Sequence, residues 1–129
     1  YVDIALNKSP NHINSISLKN KLSNFLLTND IANIDELFRD KTKNLDDFIE
    51  LTNELYNLKR FDEAINICLK IIEIDSNNKF AFNNLCACYN QKKQWFNAKK
   101  ACEEALRIDP NFQIAKNNLN WSLGSIKSQ

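Results

Sequence analysis

Residues 82–111 read FNNLCACYNQKKQWFNAKKACEEALRIDPN, and residues 48–77 read FIELTNELYNLKRFDEAINICLKIIEIDSN. Laid over one another at a period of 34 residues, they pair Phe48 with Phe82, Leu51 with Leu85, Leu55 with Tyr89 and Phe61 with Trp95. The pairing continues with Ala64 on Ala98, Cys68 on Cys102, Ile71 on Ala105, Ile74 on Ile108, Asp75 on Asp109 and Asn77 on Asn111. A period kept through apolar and turn positions alike marks a repeat whose units bury their apolar faces against one another.

Each unit reads as two helices. Phe82, Leu85, Cys86 and Tyr89, then Ala98, Cys102 and Ala105, step by three and four, so each set lies on one helical face. The polar turns Asn57 to Arg60 and Gln91 to Gln94 are too short for anything but antiparallel packing. Ala64, Ala98 and Ala105 let the paired helices approach closely, and Pro110 stops the second helix. One glycine and two prolines in 129 residues leave long stretches free to be helical, so the chain reads as all-α. The same scarcity of glycine removes phosphate loops, dinucleotide fingerprints and nucleophile elbows from consideration.

An aromatic, a leucine, a small residue and a tyrosine on the first helix, then alanines and a closing proline, resemble the tetratricopeptide repeat family. The match runs throughout residues 79–112. Residues 45–78 depart from it mildly, with Thr52 at a glycine or alanine position and Ser76 in place of proline. The resemblance implies a right-handed superhelical solenoid of antiparallel helix hairpins with a C-terminal capping helix.

Outward from these two units the pattern weakens. Ala5, Leu6, Pro10 and Asn11 reproduce Ala105, Leu106, Pro110 and Asn111 at an offset of 100, so residues 1–12 read as the end of a truncated repeat. Residues 13–44 then form a degenerate repeat with helical stripes at Ile16, Leu22, Phe25 and Leu26 and at Ile31, Ile34, Leu37 and Phe38. Beyond Phe112, residues 113–129 repeat Asn83, Asn84 and Leu85 as Asn117, Asn118 and Leu119, and read as a terminal helix covering the last apolar face. A chain that opens at Tyr1 inside a helical pattern is expected to be a piece of a longer protein. A truncated first repeat also leaves an apolar end through which copies could self-associate.

Composition offers no partner by charge. Net charge is +1 with 26% charged residues, no run of about 18 apolar residues is present, and the first ten residues lack a signal-peptide pattern. Direct membrane contact is not expected, and a cytoplasmic location is. Lys92, Lys93, Lys99 and Lys100 surround Trp95 and Phe96, a composition that could serve nucleic acid. Trp95 falls at the repeat position of Phe61, however, so packing is preferred and nucleic-acid binding is not expected.

The four cysteines read as buried structural thiols, since Cys68 and Cys102 share one inward repeat position and Cys86 fills a small-residue slot. A disulfide between Cys86 and Cys102 is the alternative, because paired helices bring those two slots together. A metal site is not expected: Cys86 and Cys88 are one residue apart, no second cysteine pair exists, and His12, in an inter-repeat turn, is distant. No cofactor is implied, no nucleophile–base set can be assembled, and carboxylates such as Asp46, Asp47 and Glu50 fall where helix starts and solvated faces want them. The expectation is binding of a protein or peptide, not catalysis.

The family resemblance further implies that first helices line a concave groove. Carried over residue by residue, the lining takes in Ile49, Glu50, Asn53, Tyr56 and Asn57, then Asn83, Asn84, Ala87 and Asn90, and finally Asn117, Asn118 and Trp121. The peptide-binding set expected from it is Asn53, Tyr56, Asn57, Asn83, Asn84, Asn90, Asn117, Asn118 and Trp121, the asparagines pairing with an extended backbone and the two aromatics anchoring it. Local packing is the competing reading for these asparagines. The lining resembles the asparagine ladder of certain glycosyltransferase-associated repeats, and a non-catalytic appendage of a larger enzyme is the second expectation. It also resembles, incompletely, the clamp with which some tetratricopeptide domains hold acidic chaperone tails: Asn53 and Asn84 match, but Ile49, Ile114 and Asn118 stand at the basic positions. Without those cations a terminal carboxylate loses its charge-assisted hydrogen bonds.

Overall fold

The computed structural model describes Phe38 and residues 44–129, and the expectations for residues 1–43 apart from Phe38 lie outside what it describes. The chain divides into two compact units, residues 1–48 and 49–129. In the first, the ring of Phe38 stacks on that of Phe48 with centroids 4.0 Å apart.

The described residues form five helices: α1 (Leu45–Asn57), α2 (Phe61–Ile74), α3 (Lys79–Gln91), α4 (Trp95–Ile108) and α5 (Gln113–Lys127). Asn44 starts α1 by accepting the Asp46 N–H at 3.0 Å, and Asp46 and Asp47 set negative charge against the exposed N–H groups of the first turn. Asn78 caps α3 in the same way, its Oδ1 accepting from the Ala81 N–H at 3.1 Å. Both inter-repeat turns close on an aspartate, Asp75 Oδ1 accepting from Asn77 N–H and Asp109 Oδ1 from Asn111 N–H, each at 3.1 Å. The turn geometry is therefore held by the aspartates, and Ser76 replaces Pro110 without altering it.

The tight turns inside the hairpins, residues 58–60 and 92–94, carry a feature not anticipated from composition. Lys59 and Lys93, one period apart, adopt positive φ of 62° and 61°. Each sits where the chain leaves its helix in a left-handed residue, with Arg60 N–H returning to Leu55 O at 2.8 Å and Gln94 N–H to Tyr89 O at 2.9 Å. Glycine would hold this conformation without the Cβ clash that lysine bears. Replacing Lys59 or Lys93 by glycine is expected to raise the unfolding free energy by about 0.5–1 kcal/mol each, seen as a higher urea midpoint at unchanged m-value.

In the second unit α2 packs on α3, α3 on α4, α4 on α5, and α3 on α5. Contacts between neighbours and between alternate helices are what a solenoid of hairpins requires. Its core combines Ile67, Cys68 and Ile71 of α2 with Ala81, Leu85 and Cys86 of α3 and Ala98, Cys102 and Ala105 of α4. Alanine at the α4 positions leaves little between its backbone and the neighbouring helices. Within this core Cys86 and Cys102 are joined in a disulfide, with Cα atoms 5.4 Å apart. The preferred reading of four thiols is thus corrected for this pair, because facing small-residue slots bring the two backbones within disulfide reach. Cys68 and Cys88 remain thiols, both buried.

At the outer edge of the second hairpin Lys79 Nζ pairs with Asp109 Oδ2 at 2.6 Å and lies 5.2 and 4.9 Å from the ring centroids of Phe80 and Phe112. Its ammonium, with the Asn111 N–H, holds the Asp109 carboxyl below the ordinary range for aspartate. No described helix is long and apolar enough to cross a membrane.

Candidate functional site

The expected binding residues lie on α1, α3 and α5, the first helices of their units, and the structure divides them into two groups. Asn83, Asn84, Asn90 and Asn118 hold the helices together. Asn118 Nδ2 donates to Asn83 Oδ1 at 2.9 Å, and Asn90 Nδ2 donates to the Asn118 carbonyl at 3.0 Å, both across the α3–α5 contact. Asn90 Oδ1 accepts from Ser122 Oγ at 2.7 Å, with Asn90 1% and Ser122 0% exposed. Across the α1–α3 contact, Asn84 Nδ2 donates to Thr52 Oγ1 at 2.7 Å. Thr52 therefore departs from the family's small residue to receive a neighbour's amide. Its hydroxyl in turn donates to the Ile49 carbonyl at 2.6 Å.

The second group faces outward. Asn53, Asn57, Asn117 and Trp121 are exposed and Tyr56 is half-buried. The side chains of Asn53 and Asn57 make no hydrogen bond among the described residues, whereas Asn117 Oδ1 accepts from Gln113 Nε2 at 2.9 Å and keeps its own N–H donors. Tyr56 is positioned on both sides: its hydroxyl accepts from Gln91 Nε2 at 2.7 Å and its ring meets Phe61 edge-on at 5.4 Å. Trp121 is 40% exposed and faces Trp95 across 6.3 Å at an angle of 52°.

The face lacks the cations of a carboxylate clamp. Of the positions where the chaperone-tail clamp would carry cations, Ile49 is half-buried, Ile114 is 57% exposed and Asn118 is engaged with Asn83. Of the lysines on the α3–α4 hairpin, Lys92 pairs with Asp62 of α2 and Lys99 with Glu103. Reactive thiols are not found here either. Burial pushes the Cys88 thiol up to about 12, and burial together with nearby Cys88 raises Cys68 further, so both stay protonated and poorly nucleophilic. Among the described residues no three His, Cys, Asp or Glu side chains are grouped to hold a metal ion.

Residues 53–78 match the family model described as Tetratricopeptide repeat. Over 75 residues the chain is 28% identical to heat shock protein STI1 of Saccharomyces cerevisiae, a stretch that is 57% of this chain and 13% of that protein. The chain thus spans a small part of that relative's length. Among solved structures it is similar to the first TPR of Spaghetti (RPAP3) bound to the HSP90 peptide SRMEEVD, with a TM-score of 0.66 and 20% identity, covering 88% of this chain and 93% of that one. The first TPR domain of human RPAP3 gives 0.67 and 21% with coverage of 88% and 93%. The second TPR domain of human RPAP3, in complex with the HSP70 peptide SGPTIEEVD, gives 0.63 and 19% with coverage of 87% and 97%. At these identities the structures speak for fold. Residues 53–78, at the end of α1 and along α2, thus match a tetratricopeptide repeat, and the helix arrangement of the chain is that of the solved TPR domains.

Proposed function

We propose that the chain is a protein-interaction module that holds an extended polypeptide against the outward face of α1, α3 and α5. The observation that carries this reading is the second group of residues: Asn53, Asn57 and Asn117 offer amides to solvent on the helices that also carry the aromatics Tyr56 and Trp121. A row of such amides pairs with a peptide backbone in either sense, since each has donor and acceptor, and the aromatics supply apolar area. Asn83, Asn84, Asn90 and Asn118 support that face by fixing the helices that bear it.

The solved relatives hold HSP90 and HSP70 peptides ending in EEVD. On this chain the face favours a segment within a partner over an acidic C-terminus, because no cation stands at Ile49, Ile114 or Asn118. The reading as a glycosyltransferase-type appendage draws no support from the proteins the chain is similar to. Self-association rested on the truncated first repeat, which lies outside the described residues.

Selection of random 12-residue peptides on the immobilised chain tests the assignment. Enriched peptides are expected to bind the Asn53→Ala, Asn117→Ala double variant about tenfold more weakly at unchanged thermal midpoint, which corresponds to about 1.4 kcal/mol. Undiminished binding by that variant would remove the groove from the proposal.

A further inference from the structure

The α3–α5 contact carries one amide that the fold does not use up. Asn83 is 7% exposed, and its Oδ1 accepts from Asn118 Nδ2 at 2.9 Å. Its own Nδ2 donates to no group among the described residues. Among those residues no side-chain nitrogen or oxygen sealed from solvent lacks a partner, so this nitrogen is open to solvent. An amide that is nine-tenths buried and held by its neighbour keeps a donor oriented before any acceptor arrives.

Apolar side chains frame that donor. Phe80 comes one turn before Asn83 and Ala87 one turn after it, so the three share a face of α3. On α5, Ile114 comes one turn before Asn118 and Trp121 one turn after it. Phe80 and Ile114 hold the same repeat position, 34 residues apart, and are 48% and 57% exposed. The Phe80 ring is backed by Phe112, which meets it edge-on at 5.5 Å.

We infer that Asn83, Phe80 and Ile114 form one subsite of the groove, which takes a residue with a bulky apolar side chain: the side chain lies on Phe80 and Ile114, and the main-chain carbonyl beside it accepts from Asn83 Nδ2. The inference rests on the peptide-binding reading above and names the residue type that this face selects. The group left over on Asn83 is a donor, so the occupant supplies an acceptor. That acceptor is a neutral carbonyl, because Lys79, beside Phe80, is engaged with Asp109 and leaves a carboxylate no charge partner. One turn of helix sets Phe80 and Asn83 about 5–6 Å apart at Cβ, a span that one residue covers from side chain to carbonyl. The apolar frame also lowers the local dielectric and strengthens the bond that the amide makes.

Peptides enriched from the random 12-residue library are the probe. They are expected to share Leu, Ile, Met or Phe at one position, and alanine there should weaken binding to the native chain at least tenfold. The Phe80→Ser, Ile114→Ser double variant, altered only at exposed positions, should lose that preference. Asn83→Asp keeps an acceptor for Asn118 but has no N–H at pH 7, so binding should fall at least tenfold, with circular dichroism confirming retained helicity. At pH 4 the new carboxyl regains a proton that it can donate, and binding relative to the native chain at the same pH should recover. If Asn83 only held α5, binding by Asn83→Asp would be unchanged at pH 7 or lost at both pH values, and either result overturns the subsite. So does a selected set with no shared apolar residue, or a double variant that keeps the preference. If the subsite fails while the Asn53→Ala, Asn117→Ala variant still binds weakly, the groove stands without it; a library that enriches nothing removes both.

Discussion

Asn90→Ala is expected to lower the unfolding free energy by about 2–4 kcal/mol, the largest loss from any single polar substitution on the described helices. Its amide is 1% exposed and spans two helices, donating to the Asn118 carbonyl at 3.0 Å and accepting from Ser122 Oγ at 2.7 Å. Truncation deletes both bonds and leaves a cavity between α3 and α5. Ser122 can turn to the Asn118 carbonyl, 3.1 Å away, which recovers part of the loss and sets the lower bound. Denaturant titration should show a midpoint shift several times that of Asn57→Ala, whose exposed amide has no partner among the described residues and whose loss should lie within about 0.5 kcal/mol. Equal effects from the two substitutions would show that the buried network carries no special weight. Because α5 bears Asn117 and Trp121, its loosening should also weaken peptide binding.

The second large effect concerns the covalent link. Cys86 and Cys102 are 16 residues apart, and closing a loop of that length restricts the unfolded chain by about 3 kcal/mol in the chain-entropy account. The Cys86→Ala, Cys102→Ala double variant should therefore lose about 3 kcal/mol relative to the oxidised protein, with little change from added reductant. Counting thiols checks the premise. The native protein should resist iodoacetamide at pH 8, since Cys68 and Cys88 are buried and their thiols are held protonated. Unfolding without reductant should expose those two cysteines to alkylation, and prior reduction should raise the mass-spectrometric count to the chain's full four. Four alkylations without reductant would mean that the link does not form in solution.

Helix number and order over the two units were legible because apolar positions recur at 34 residues and step by three and four within each helix. The role of individual asparagines was not. Asn83 and Asn84 are neighbours in sequence and both were expected in the groove, yet one pairs with α5 and the other with α1. Only the lateral approach of three helices decides which amide meets a neighbour and which meets water, and that approach is set by packing, not by periodicity. Trp95 and Trp121 show the same limit. Periodicity assigns one to packing and the other to the groove lining, whereas α4 and α5 bring the two rings against each other. The left-handed residues were hidden for a different reason: glycine is the usual marker of such a turn, and Lys59 and Lys93 occupy it instead.

The link between α3 and α4 also makes the repeats mechanically unequal. Pulled from its two ends, an uncrosslinked chain yields its full contour, about 3.4 Å for each residue released. The bridge from Cys86 to Cys102 keeps a 16-residue span out of that extension, about 50 Å that force alone does not recover. Reduction would turn this hidden length into slack in the very hairpin that both flanking elements, α2 and α5, lean on. A tether built from this module would then be short and stiff when oxidised, and longer and softer when reduced.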